Sequence, residues 1–276
     1  MKRTACGLFV CASLALSAPL SAQFRESCLP GEVKVDTWSG YKRLNFVVDG
    51  CPAWIIEPTE VAPGNPWLWG MEFPFAFVER CSAPDLLKAG YYYVHVQVGN
   101  TFGCPKAIET FKKFYGILQS CGLAKKGVLL GISRGGLYAY RFAAVCPEGV
   151  SVIYGDAPVC DFKSWPGGKM NGVGSKGDWE ALIRHYGFKD EVEALAYKLN
   201  PIDSLEILAK HKIALIHVVG DVDKVVPPAE NTAVVEDRYL KLGGVIETIH
   251  KPDCDHHPHG LEDTTPVVEF IKKYNR

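Results

Sequence analysis

The chain predicts an α/β protein, a mostly parallel sheet with helices on both faces. Two observations carry this reading. Apolar, strand-like runs alternate with helix-like segments along most of the 276 residues, the order that parallel crossovers require. The runs GVLLGI and KIALIHVV are apolar nearly throughout, as strands covered on both faces are. A hydrophobic content of 47% is enough for one large core, and no shift in composition divides residues 23–276 into two domains.

The elements follow in order. Residues 1–22 start with Lys2 and Arg3, run apolar, and break at Pro19 before small residues. That is the layout of a secretory signal peptide, with cleavage expected after Ala22 and a secreted or periplasmic destination. The run is too short for a spanning anchor, so no stable membrane insertion is expected once it is removed. YKRLNFVVDG and CPAWIIEP read as a hairpin turning at Asp49-Gly50. After the loop TEVAPGNP, PWLWGMEF reads as a strand, PFAFVERCSAPDLLKAG as a helix interrupted near Pro84, and YYYVHVQV as a strand. Pro105 opens a helix running to Cys121. GVLLGI is a strand, GGLYAYRFAAVCP a helix and SVIYGDAP a strand.

Residues 161–210 form an expected lid or insertion, beginning with the glycine- and lysine-rich DFKSWPGGKMNGVGSKGD. Helical text follows in WEALIRHYGF, EVEALAYKL and SLEILAKH. KIALIHVVGD is then a strand, ENTAVVEDRYLKLGG a helix closed by two glycines, VIETIHKP a strand and PVVEFIKKY a final helix.

The charges nearly cancel, at 30 Lys and Arg against 31 Asp and Glu, and no basic block exists. A nucleic-acid partner is therefore excluded. Eight cysteines remain after the leader. Export permits disulfides among them, and no C-x-x-C pair suggests zinc.

The chemistry sits in GVLLGISRGGL. Ser133 lies between Gly131 and Gly135, after a strand and before a helix. A hydroxyl there has no packing role, whereas a tight strand-to-helix turn holds a nucleophile clear of the sheet. Glycines allow the close backbone approach that such a turn needs. Through this elbow and the loops below, the chain resembles the α/β-hydrolase superfamily, in a serine esterase-like form, over nearly all of residues 23–276.

The resemblance implies the α/β-hydrolase fold and the chain order nucleophile, acid, histidine. In VVGDVDKVVPP, residues Gly220, Asp223, Val226 and Pro227 match the family's G-x-x-D-x-x-V-P arrangement, which makes Asp223 the acid and Asp221 a turn former. Asp156, after the strand SVIYGD, is the alternative acid, or else a loop anchor. In KPDCDHHPHG the base maps to His256, with His257 the rival one residue away and His259 packing or lining the rim. The oxyanion hole would take the N–H of Arg134 and a second from Glu72 or Phe73, although the family's usual His-Gly pair is missing there.

His256, His257 and His259 also invite a metal. Adjacent loop side chains diverge, however, so neither a metal nor another cofactor is expected. The resemblance implies acyl transfer by a serine hydrolase. A carboxylic ester is the expected substrate, with small-molecule and carbohydrate-linked esters foremost. A peptide or amide is the alternative substrate, and a catalytically inactive binding module the non-enzyme reading. Trp69 and Trp165 are expected at the substrate, with Trp67 and Trp179 close to the mouth, and Lys163, Lys169 and Lys176 give the insertion a polar character. In a doubly wound sheet, Cys121 and Cys146 end neighbouring helices at the lower rim, where a disulfide could join them.

Overall fold

In a computed structural model, residues 24–275 are described. The expected signal peptide lies outside the described residues. Nine strands form one sheet in the order β1-β2-β3-β5-β4-β6-β7-β8-β9. They are β1 (Lys34–Trp38), β2 (Tyr41–Val48), β3 (Cys51–Ile56), β4 (Trp67–Glu72), β5 (Tyr92–Val96), β6 (Gly127–Ile132), β7 (Val150–Asp156), β8 (Ala214–Gly220) and β9 (Ile246–Lys251). The pairs from β1 through β3 to β5 are antiparallel, and every pair from β5 to β9 is parallel. The hairpin turns where expected, with Asp49 at φ 51° and Gly50 at φ 76°, the doubly left-handed pair of a two-residue turn.

The helices are α1 (Ala83–Lys88), α2 (Pro105–Ser120), α3 (Gly135–Val145), α4 (Lys176–Tyr186), α5 (Glu191–Ala196), α6 (Leu205–Lys210), α7 (Thr232–Lys241) and α8 (Thr265–Tyr274). Strand parity divides the core into two layers. Trp69 of β4 and Leu129 of β6 pack with α2, α3 and α7, whereas Leu68, Val128 and Leu130 pack with α1 and α8. Among the described residues, no helix is long and apolar enough to cross a membrane.

Two elements differ from the sequence expectation. β1 is an additional edge strand, nearly all exposed. The helix expected across residues 74–90 shrinks to α1 because residues 74–82 form turns, with Phe77 and Ser82 at positive φ. The insertion is tied to the loop after β8. Glu230 accepts from Ser164 Oγ at 2.6 Å and from Asn171 N at 2.5 Å, and Asn231 Oδ1 accepts from Cys160 N at 2.8 Å.

Cys121 and Cys146 are two separate buried thiols rather than a bridged pair, and all eight cysteines among the described residues are free. The two thiols have different surroundings. Burial pushes Cys121 up to about 11 with Cys28 as the neighbouring thiol, whereas Cys146 is raised by burial beside Glu148 and Lys112.

Candidate active site

The elbow is built by backbone geometry. Ser133 sits at φ 52°, a left-handed state that a non-glycine residue adopts only when its surroundings impose it. Its N–H donates to Asp156 O at 2.8 Å, and its carbonyl accepts from Val159 N at 2.8 Å and Gly136 N at 3.0 Å. Close approach explains two glycines. A Cβ on Gly131 would stand 2.8 Å from the Gly135 carbonyl oxygen, and one on Gly136 would stand 2.6 Å from that of Val159. The end of β6 thus runs directly under the start of α3, and the Ser133 side chain faces outward.

Three of the sequence-expected residues meet at that hydroxyl. His256 Nδ1–H donates to Asp223 Oδ2 at 2.7 Å, so Nε2 carries the lone pair and accepts from Ser133 Oγ at 2.9 Å. Asp223 Oδ1 accepts from the N–H groups of Val225 and Val226, both at 2.8 Å, which fixes the carboxylate plane. Both His256 and Asp223 are buried. A buried carboxylate aligned on one imidazole nitrogen makes the other nitrogen a proton acceptor for a hydroxyl.

The alternatives lie elsewhere. Asp156 accepts from His259 Nδ1–H at 2.6 Å and from Gly260 N at 2.8 Å, so it anchors the histidine loop. Asp221 pairs with His250 at the surface, at 2.6 Å. His257 is exposed, packs against Phe77, and is held below the usual imidazole range first by partial burial and then by its two histidine neighbours. Among the described residues, the imidazole hydrogen-bonded to the serine hydroxyl is that of His256.

The three histidines nevertheless converge, contrary to the expected divergence. One ligating atom from each of His256, His257 and His259 lies within 4.8 Å of the others. The loop is bent back on itself by Asp223 and Asp156. From the other side Arg80 clamps it, with Nε donating to His259 O at 2.9 Å.

Of the oxyanion candidates, Phe73 follows a bulge in β4, stands at φ 54° and lines the cleft beside Arg134. Among the described residues, neither the Phe73 N–H nor the Arg134 N–H donates to a backbone carbonyl. The Arg134 guanidinium joins their two loops, packing 4.7 Å from the Phe73 ring centre and bonding Glu72 Oε1 at 3.2 Å. The Glu72 side chain is thereby tied to Arg134, while its backbone lies in β4, paired with Gly131 of β6. Its carboxyl is raised by burial, with the Arg134 charge opposing.

A cleft of about 310 Å³ leads to the serine, lined by Phe73, Phe77, Trp165, Val225 and the histidines. Phe77 and Val225 were not anticipated from sequence, because nothing in their spacing marks them. Trp165 is at the cleft. Trp69 is not, which corrects the expectation. It is fully buried in the α2–α3 layer, its ring 5.0, 4.8 and 5.1 Å from those of Phe111, Phe114 and Phe142. Trp67 is buried as well, bonded to Ala124 O, and Trp179 is buried with its indole N–H on Glu191.

The sheet order, elbow and hydrogen-bonded array together define an α/β-hydrolase fold carrying a serine–histidine–aspartate constellation. No protein-family model matches the sequence, and no curated protein matches it. Solved structures match the fold. A Mycobacterium tuberculosis puromycin-hydrolyzing peptidase superposes with a TM-score of 0.64 at 15% identity, over 87% of this chain and 43% of its own. Porphyromonas gingivalis dipeptidyl peptidase 4 gives 0.58 at 14%, over 89% of this chain and 36% of its own. Acetyl xylan esterase 1 from Thermoanaerobacterium sp. JW/SL YS485 gives 0.59 at 16%, over 87% of this chain and 86% of its own. The chain therefore spans less than half the length of these peptidases and most of the length of the esterase.

Proposed function

We propose that the protein is an exported serine hydrolase that cleaves carboxylic esters, with carbohydrate-linked esters as its substrate class. One observation carries the reading: the Ser133–His256–Asp223 array closes at 2.9 and 2.7 Å inside a cleft. Ser133 Oγ attacks the ester carbonyl as His256 Nε2 takes its proton, and Asp223 stabilises the imidazolium. The N–H groups of Arg134 and Phe73 receive the oxyanion. His256 returns the proton to the leaving alcohol, and water releases the acyl group by the same steps reversed. No step needs a metal.

The ester reading is supported by fold likeness to an acetyl xylan esterase across most of that enzyme's length. The aromatic rings of Phe73, Phe77 and Trp165 at the cleft suit a sugar ring beside the scissile bond. Likeness to a puromycin-hydrolyzing peptidase favours amides as the second reading. A panel of nitrophenyl esters, acetylated sugars and peptide amides, run on wild type and Ser133→Ala, tests both. The variant should lose at least about 10⁴ in turnover. Retained activity above a few per cent refutes the nucleophile, and faster turnover of peptide amides than of any ester refutes the ester reading.

A further inference from the structure

Three imidazoles meet at the cleft, and ester hydrolysis uses one. His256 and His259 are held in the same way. Each donates Nδ1–H to a buried carboxylate, Asp223 at 2.7 Å and Asp156 at 2.6 Å. Each therefore keeps its lone pair on Nε2. A carboxylate behind the ring fixes the tautomer and direction of an imidazole ligand and raises its basicity. The serine relay requires one such pair. The second, His259 on Asp156, anchors the loop but takes no part in that relay.

His257 supplies a third ring, and one ligating atom of each lies within 4.8 Å of the others. Tetrahedral zinc, with nitrogen at about 2.0–2.1 Å, sets its ligands about 3.4 Å apart. Closing that gap takes small rotations, chiefly of the exposed His257 ring, which among the described residues packs on other rings and makes no hydrogen bond. Imidazole suits zinc, nickel and copper(II). Two carboxylates behind the ligands offset the charge of the ion.

We propose that a divalent transition-metal ion, zinc foremost, binds His256, His257 and His259 and reversibly switches the enzyme off. The inhibitory consequence rests on the serine-hydrolase reading. The ion occupies the Nε2 lone pair that otherwise accepts the Ser133 proton, and water completes its coordination. No bond in the substrate is made or broken through the ion, so chelators restore activity or leave it unchanged.

The test uses the purified full chain and two readouts. Zinc titrated into nitrophenyl acetate hydrolysis should give a saturable loss reversed by EDTA. Cobalt(II) should develop the visible absorption of a tetrahedral site, which reads binding without reference to activity. His257→Asn, at an exposed position, should raise the half-inhibiting zinc concentration at least about tenfold, as removal of a ligand requires, and abolish the cobalt bands. His211→Asn, at the end of α6, should leave both unchanged. Absence of cobalt bands in wild type overturns the site, as does equal zinc sensitivity in wild type and His257→Asn. Binding without inhibition overturns the switch. If the protein turns over no ester, the cobalt spectrum still decides the site, so the two readings fail separately.

Discussion

Replacing Asp223 by Asn changes one atom, and the surrounding hydrogen bonds dictate how the amide must sit. Val225 N–H and Val226 N–H both donate to Oδ1 at 2.8 Å, so that position must remain an oxygen. The NH₂ group is then forced into the Oδ2 position, 2.7 Å from His256 Nδ1. An NH₂ can only donate, which makes Nδ1 the acceptor and moves the ring proton to Nε2, facing Ser133 Oγ at 2.9 Å. The base is now protonated where it should accept. The expected fall in kcat is about 10⁴-fold, or about 5.4 kcal/mol on the barrier. Initial rates with nitrophenyl acetate measure it, and urea unfolding confirms the fold. Asp156→Asn should act differently. It disturbs the bonds to His259 and Gly260 and costs about 1–3 kcal/mol of stability, with a kcat loss under about 100-fold. A kcat for Asp223→Asn within tenfold of wild type, or a larger loss for Asp156→Asn, refutes the reasoning.

Three further expectations concern other parts of the structure. His256→Ala should reduce kcat by about 10⁴ and His257→Ala far less, and the reverse order would transfer the base to His257. Trp69→Ala should destabilise by about 3–5 kcal/mol through the α2–α3 core, whereas Trp165→Ala should raise KM by about 3- to 10-fold at little cost in stability. Thermal unfolding beside steady-state kinetics separates the two tryptophans, and interchanged effects would contradict the placement of both. Burial pushes His217 down to about 3 and His95 to about 4, so both stay neutral in the fold while the unfolded chain protonates near 6.5. Stability should therefore rise with pH and be lost as pH falls below 6.5, by about 4 kcal/mol for the two between pH 7 and 5. Urea unfolding at both pH values should show His217→Gln removing about half of that slope, and an unchanged slope would be inconsistent with a buried neutral imidazole.

The central sheet was legible because its strands are apolar runs separated by helix text. β1 was not, since Lys34–Trp38 is exposed along most of its length and gives the period-2 signal nothing to show. Residues 74–82 misled in the opposite sense. Their aromatic content suggests a buried helix, but left-handed residues break the backbone and leave Phe75 and Phe77 partly exposed. Trp69 was misplaced for a different reason. On a strand buried on both sides, alternation disappears from the sequence, so the face a tryptophan occupies cannot be read.

Within the site, the residues readable in the sequence were those whose chemistry is tied to a local backbone turn. Ser133 is marked by its glycines, and Asp223 by the residues whose N–H groups bind its carboxylate, Val226 among them. The histidine loop carries no such local mark. Neighbouring loop side chains diverge by default, and that default holds only where nothing distant restrains them. Here the restraint is tertiary. Asp223 follows β8 and Asp156 ends β7, and these strands are parallel neighbours whose register pairs Asp156 with Val218. Two carboxylates therefore emerge at the same end of the sheet, and each takes one histidine from a loop four residues long between His256 and His259. Those two bonds turn His256 and His259 inward together and set their rings 4.8 Å apart. The same pairing that orients His256 is what brings the other imidazoles within reach of it, so the proposed catalytic base and the proposed metal switch arise from one feature of the sheet.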